Sequence, residues 1–425
     1  MPETRFARAL AALAADSQLQ QDFLALCDCG GRRAGTPSER AALKLAHERL
    51  AAIDSRAVIE PVAYAGWRCS EATLKLEDGT ALACHALLGS QSTPPQGISA
   101  EVIDLGRGSP KDFERAASDI TGRLALVRHE YPFSAVHVHR RRKYAWAMEH
   151  RAAGFIIANS VRDAGPVSGS SGRGGETGIP AIAIDFDSAT RLAARGSRRT
   201  RARLKVGGED YAAETGAAIL SLPGQTDAWV ALSAHVDGHD LAESAMDNAT
   251  GVAVVLAVTR ALAPLIADCR RGLKVCLFSA EEWALAGSRD YLERMSESER
   301  SSIALNINLD TVGGDAQLTA LTSEFPRLES FVRDAASGTG IALDTYAPMM
   351  PNSDHYNFAR HGIPALRLVA GFNRPECNIK YILTRGDTRD KVKPAELQCA
   401  SALTAALLMR ALTASDEAMT ALRLK

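Results

Sequence analysis

The sequence contains no apolar run approaching the roughly 18 to 20 residues that a bilayer crossing needs. Its longest apolar stretches, such as residues 251–258, are short and bounded by polar residues. It also lacks an excess of either charge. Lys and Arg number 49 against 50 Asp and Glu, spread along the chain, so there is no electrostatic reason to expect nucleic acid or an anionic membrane surface as a partner. The eight cysteines form no Cys-x-x-Cys pair and no dense framework, which predicts reduced, mostly buried thiols in a cytoplasmic protein rather than a disulfide scaffold. No internal repeat is visible. These absences leave a soluble protein with small or peptidic partners and an open oligomeric state, a homo-oligomer included.

With 425 residues the chain exceeds what one hydrophobic core usually serves, so two domains, or one split domain carrying an insertion, are expected. The first residues, Met1-Pro-Glu-Thr-Arg-Phe-Ala-Arg, faintly imitate a secretion signal, but Glu3 and the weakly apolar alanines fit an amphipathic helix better. Leu43, Ala46, Leu50 and Ile53 recur at helical spacing, and a strand follows near residues 58–64. From residue 67 to about 204 short apolar runs are broken by Gly, Pro and Ser, which predicts a mostly β unit with one clear helix over 143–153 and a mobile loop over 165–178. From about residue 217 the rhythm changes. Compact apolar strands at 229–234, 273–279, 303–309 and 365–369 alternate with helical stretches, the pattern of a mainly parallel sheet flanked by helices.

The acids and histidines fall at the ends of those strands. His235 and Asp237 follow the first, Glu281 and Glu282 the second, and Asp310 the third. Carboxyl ends of parallel strands share one edge, where ligands bind, so three separate runs deliver polar groups to one crevice. Asp247 stands just before the apolar helical stretch 252–262, where a helix N-terminus tolerates negative charge. Carboxylates gathered this way repel one another unless a cation compensates, and one histidine with three oxygen donors suits zinc or a similar divalent ion. His235, Asp247, Glu282 and Asp310 are therefore the expected ligands. Two adjacent glutamates cannot both point the same way, so Glu281 is left to take a proton from the attacking water. Asp237 is placed to accept the other N–H of the His235 ring and fix its tautomer.

Six segments in this order resemble a known family, the zinc metallopeptidases that include bacterial aminopeptidases, glutamate carboxypeptidase and glutaminyl cyclase. They are His235-Val-Asp237, Asp247-Asn-Ala-Thr-Gly251, Ala280-Glu-Glu-Trp-Ala-Leu-Ala-Gly-Ser288, Asn308-Leu-Asp310, Ser353-Asp-His-Tyr-Asn-Phe358 with Gly362-Ile-Pro364, and Gly386-Asp-Thr-Arg-Asp390. The resemblance spans residues 1–65 and 207–425, which it identifies as a split zinc-peptidase catalytic domain of α/β class. Residues 66–206 are similar to the protease-associated domain often inserted in this family, through Arg123-Leu-Ala-Leu-Val-Arg128 and Gly154-Phe-Ile-Ile-Ala-Asn159. The family implies two zinc ions bridged by Asp247, one also bound by His235 and Asp310, the other by Glu282 and a later histidine, with Glu281 as general base. At the place of that histidine this chain has Leu383, which cannot bind a metal. The second ion is then lost, weakly held, or bound by a substitute, His355 first and His239 or Asp387 after it.

The resemblance implies a zinc enzyme, with one or two ions and cobalt or manganese as alternatives. Its substrates would be peptides or amides, and removal of N-terminal residues from short peptides is the favoured activity. The rivals are a carboxypeptidase or dipeptidase, a one-metal amide hydrolase or cyclase akin to glutaminyl cyclase, and an inactive binding module. His137 and His139, which alternate before Arg140, read as a solvated helix start rather than a metal site.

Overall fold

The structure, a computed structural model, describes residues 2–173, 175, 177–193 and 200–424. Contacts divide the chain into two compact units. The first comprises Met1–Tyr64, Glu214–Ile379 and Asp387–Lys425, and the second Ala65–Ala213 and Lys380–Gly386. Two long strands, Val58–Leu76 and β1 (Arg201–Leu222), carry the chain between them, so the strand expected over 58–64 runs twelve residues further.

In the first unit the sheet contains the end of β1, β2 (Trp229–His235), β3 (Gly272–Phe278), β4 (Ile303–Leu309), β5 (Leu318–Leu321), β6 (Leu343–Tyr346) and β7 (Ala365–Ala370). Their order is β6-β5-β7-β4-β2-β3-β1. β2 runs parallel to β3 and to β4, and β4 parallel to β7, while β1 and β5 pair antiparallel with β3 and β7. The central four strands are almost wholly buried. That explains why their sequences read as continuous apolar runs rather than alternating ones. Because the chain leaves β2 for β3 on one side and returns to β4 on the other, the carboxyl end of β2 is a topological switch point, where such sheets leave a crevice.

Helix α1 (Thr250–Ile266) is buried on nearly every face. Together with the preceding turn it forms a stretch, Ala245–Ile266, long and apolar enough to cross a membrane by length and composition, against the expectation that none exists. The sequence run is interrupted by small and polar residues, yet 72% of its 18-residue window is buried inside this unit, as in the central helix of a packed core. The helices Pro2–Ala14, Ser17–Asp28, Pro37–Ile53 and α2 (Pro394–Thr413) pack against it. Pro37–Ile53 starts where Thr36 accepts a hydrogen bond from Glu39 N and Pro37 occupies the first turn, and it buries Leu43, Ala46 and Leu50 as their spacing predicts.

The second unit has its own core of Phe113, Tyr144, Phe155 and Ile157 under four parallel strands, Ile98–Asp104, Leu124–Arg128, Gly154–Ala158 and Ala181–Ile184. The helix expected over 143–153 spans Arg140–Glu149 instead, because the His139 ring accepts a hydrogen bond from Arg141 N and starts it three residues earlier. Short helices at Pro110–Arg115, Ala117–Ile120 and Phe186–Ala193 had no clear signal in the sequence. The loop expected to be mobile over 165–178 is packed over its first half, with Val167, Ser168 and Ser171 buried, and exposed at 172, 175 and 177; residues 174 and 176 lie outside the described residues. The eight cysteines are reduced thiols, three of them buried, and Cys69 and Cys399 are exposed.

Candidate metal centre

Strand register brings the site together. Phe278 on β3 lies opposite His235, and Asn308 on β4 lies opposite Ser233, so the residues just past β3 and β4 reach the level of His235 at the end of β2. One donor atom each from His235, Glu281 and Asp310 lies within 4.8 Å of the other two, and all three residues are buried. Asp247 joins them, with Oδ1 3.2 Å from His235 Nε2, while Asp310 Oδ1 stands 3.5 Å from the same nitrogen. Glu282, expected as a ligand, is outside that tight group. Its buried Oε1 has no hydrogen-bond partner among the described residues, and Asp247 is its first acidic neighbour.

The Asp247 segment shows why its motif has those residues. Ala245–Ala249 forms one wide turn in which Asp247 is extended (φ −116°, ψ 86°) before α1 begins. Asn248 then bridges two elements. Its Nδ2 donates to Leu309 O at 2.8 Å, and its Oδ1 accepts from Gly251 N at 2.9 Å and Thr311 N at 3.2 Å, tying the Asp247 turn to the end of β4. A Cβ at position 251 would collide with Leu309 O and the Asn248 side chain, so only glycine lets α1 approach this closely. After β3, Ala280 takes a left-handed φ of 58°, and after β4 Thr311 takes 62°. Non-glycine residues held there are strained, one just before Glu281 and one just after Asp310, at the two strand ends that border the crevice.

His235 Nδ1 donates to Asp237 O at 3.1 Å, while the nearest Asp237 carboxylate oxygen is 3.6 Å away. The ring is thus oriented by the main chain of Asp237 and not by its carboxylate. The Asp237 carboxylate turns instead to the next strand end, accepting from Glu281 N at 3.1 Å and Glu282 N at 3.2 Å. A carbonyl only accepts, so in the neutral ring the His235 proton sits on Nδ1 and the lone pair is on Nε2. Nε2 is buried beside two carboxylate oxygens yet makes no hydrogen bond of acceptable geometry. Donors that converge on a shared point rather than on one another fit a divalent cation.

Electrostatics supports the same reading. Burial alone would lower the His235 pKa, but Glu281 and the three aspartates outweigh it and hold the ring well above its usual value. Burial pushes Glu281 well above the carboxylate range, opposed by His235 and reinforced by Glu282. Glu282 is pushed up to about 8 by burial and then by Asp247. Asp310 goes the other way. Burial would raise it, but Arg367, whose guanidinium lies 3.0 Å from Oδ2, and then His235 hold it well below its ordinary value.

Arg367 is one of two buried arginines beside the site that sequence reasoning missed. Its strand, β7, reads simply as apolar, and the residue lies opposite Asn308 on β4. The other is Arg32. It donates to Val236 O at 2.8 Å, Glu243 O at 2.6 Å and Ser244 O at 2.7 Å, clasping the turns that lead to His235 and Asp247. A third missed residue, the buried Glu39, accepts from Ser279 Oγ at 2.6 Å just ahead of Glu281.

The structure does not bring His355 into the cluster. It is fully buried at the start of the helix His355–Arg360, and among the described residues no carboxylate oxygen is paired with its ring. Burial and Arg367 lower its pKa to about 3. His239 and Asp387 do meet, at 3.7 Å, with Glu282 and Asp247 as further acidic neighbours of His239.

Residues 218–408 match peptidase family M28, and residues 90–192 match the PA domain. The chain is 26% identical over 344 residues to aminopeptidase YwaD of Bacillus subtilis, covering 78% of this chain and 71% of that protein. It is 25% identical over 306 residues to carboxypeptidase Q of Bos taurus, covering 66% of this chain and 62%, less than two thirds, of that relative. A solved zinc aminopeptidase from Bacillus subtilis superposes with a TM-score of 0.73 at 24% identity, over 94% of this chain and 96% of that one. Over residues 218–408 the chain is therefore similar to the M28 peptidases, and over residues 90–192 to the PA domain.

Proposed function

We propose that the protein is a zinc-dependent aminopeptidase acting on short peptides. The observation that carries this reading is the His235 Nε2 lone pair, freed by the carbonyl on Nδ1 and facing Asp247 and Asp310 at the switch point of the sheet. His235, Asp247 and Asp310 would hold the ion, with Glu282 beside Asp247. When bound, it would supply Lewis-acid polarisation of the scissile carbonyl and lower the pKa of water there.

The chain's own groups do the rest. Glu281 is the only carboxylate of the tight group that Arg367 does not pair and that neither the Asp247 turn nor β4 presents, so it is free to move a proton. It takes one from the attacking water and returns it to the departing amine nitrogen. Asp237 fixes where Glu281 stands by accepting its backbone N–H. Arg367 holds one oxygen of Asp310 and leaves the other toward His235. The aminopeptidase preference rests on the named relatives, and the likeness to carboxypeptidase Q keeps C-terminal cleavage as the second reading.

The test is elemental analysis of the purified chain joined to a screen of aminoacyl-p-nitroanilides and of acylated dipeptides. Zinc content with activity on free-amine substrates is the expected result. Activity confined to acylated dipeptides would favour the carboxypeptidase reading, and inactivity with zinc, cobalt and manganese throughout would overturn the enzyme reading in favour of a binding module.

A further inference from the structure

The side of the site around Glu282 looks as if it calls for a second cation. His239 and Asp387 are buried and 3.7 Å apart, and Glu282 Oε1 and His239 Nε2 are both buried without a hydrogen-bond partner among the described residues. The ring of His239 is held differently from that of His235, however. Its Nδ1 accepts a hydrogen bond from Leu241 N at 3.2 Å. A ring nitrogen that accepts has no proton, so in the neutral ring the proton is on Nε2, the atom that faces Asp387. A protonated nitrogen offers a metal no lone pair. Asp387 is committed too, since Oδ1 accepts from Met246 N at 2.7 Å and Oδ2 from Asp247 N at 3.4 Å.

We infer that the His239 Nε2–H occupies the place of a second cation, lying among Asp387, Glu282 and Asp247, so that the centre holds a single ion. Making His239 a ligand would require moving its proton to Nδ1 and leaving the Leu241 N–H without its acceptor. His355 is no substitute, because among the described residues it stands outside the His235, Glu281 and Asp310 group, and burial and the positive charge of Arg367 weigh on its ring more than Asp310 does. The arrangement trades an ion for a proton donor supplied by the same loop that supplies His235. This inference rests on the metallopeptidase reading above.

Elemental analysis and zinc titration calorimetry on the full chain test it. The wild type should bind one zinc per chain in a single tight event. His239→Gln keeps an N–H donor and should stay at one, whereas His239→Ala removes the donor and should add a second, weaker event. Two tight ions in the wild type, or no added event in a His239→Ala protein that remains folded by circular dichroism, overturns the inference. Histidine NMR on the isotope-labelled wild type needs no variant. His239 should keep its proton on Nε2 in excess zinc, and a zinc-dependent move to Nδ1 overturns the inference. Failure to bind zinc at all would sink the metallopeptidase reading itself, a distinguishable result.

Discussion

His235 ends β2 and His239 lies in the loop that follows, four residues on; both are buried and both face a carboxylate, yet in the neutral ring each holds its proton on the opposite nitrogen from the other. The difference comes from what the main chain offers each Nδ1. His235 meets the carbonyl of Asp237, which can only accept, and His239 meets the N–H of Leu241, which can only donate. The acids follow the same division. Asp310 turns Oδ1, which accepts only from the rotatable Thr311 hydroxyl at 3.0 Å, toward His235 while Arg367 takes Oδ2, whereas both oxygens of Asp387 are taken by backbone N–H groups. Residue type alone would call both halves metal ligands. Hydrogen-bond direction separates a half that is open to an ion from a half that is closed.

The sharpest way to probe the open half is Glu281→Gln. Glu281 groups with His235 and Asp310 in space but is assigned the proton. Steady-state kinetics should show kcat reduced by roughly a thousandfold, within the range for losing a general base. Zinc affinity, measured by chelator competition, should change far less. A parallel collapse of zinc binding would show that Glu281 is a ligand and that Glu282 has the other role.

Arg367→Met comes next. The guanidinium fixes Asp310 through Oδ2, and groups that orient a ligand typically contribute about 10- to 100-fold in metal affinity. Affinity should therefore fall by that amount by the same competition assay. A rise would mean that Arg367 acts as a competing positive charge and not as an orienting group.

The open half was legible in the sequence because its signals are local. An apolar strand that ends in His or an acid is a short pattern, and parallel strands place such ends on one edge whatever the loops between them do. The residues of the closed half, Glu282, His239 and Asp387, were named as candidates, but their hydrogen bonding and the buried arginines were not legible. Arg367 sits in the run Ala365-Leu-Arg-Leu-Val369 with nothing to mark it as inward facing, and only the pairing of β7 with β4 brings it to Asp310. Arg32 lies in a loop without periodicity, and its carbonyl partners are 204 and 212 residues away. The expectation that the Asp237 carboxylate would orient His235 treated the turn after β2 as free. Instead Val236 N bonds Phe278 O at 2.7 Å and Gly238 N bonds Arg32 O at 3.0 Å, a path that presents the Asp237 carbonyl to the ring.

Asp237→Asn should have a smaller effect on chemistry. The amide can accept from one of the two N–H groups of Glu281 and Glu282 but must turn its own NH2 toward the other. A buried donor left without a partner costs about 1–3 kcal/mol, to be seen as a lower midpoint in urea unfolding. The kcat should drop by about tenfold as Glu281 loses its anchor. His235 should remain a ligand, since its Nδ1 partner is a carbonyl that the substitution keeps, and zinc content unchanged from wild type would bear that out. Loss of zinc would instead show that the carboxylate, 3.6 Å from the ring, does the orienting.

The smallest effect is on the pH dependence of the metal-free protein. Glu282 is raised from 4.5 to about 8 and Asp354 from 3.8 to about 7, both chiefly by burial. A group whose pKa is raised on folding binds its proton more tightly in the folded state, so its contribution to stability is fully present below the unfolded value and is lost as pH rises through the folded one. Asp310, held low by Arg367, has the opposite sign and contributes above its ordinary value of 3.8. Above about pH 5 the Asp310 contribution is already complete, and the histidines that burial lowers, His355 among them, have finished gaining by their ordinary 6.5, so in the window from about pH 6.5 to pH 8 the raised groups, Glu281 with Glu282 and Asp354, set the direction. The Tm of the chelator-treated protein should therefore fall as pH rises through it. A bound ion replaces those protons, so the gap in Tm between zinc-loaded and metal-free samples should widen over the same range. If the metal-free Tm instead rises with pH, the buried acids are already ionised in the empty site, and the closed half must hold more positive charge than the His239 N–H supplies.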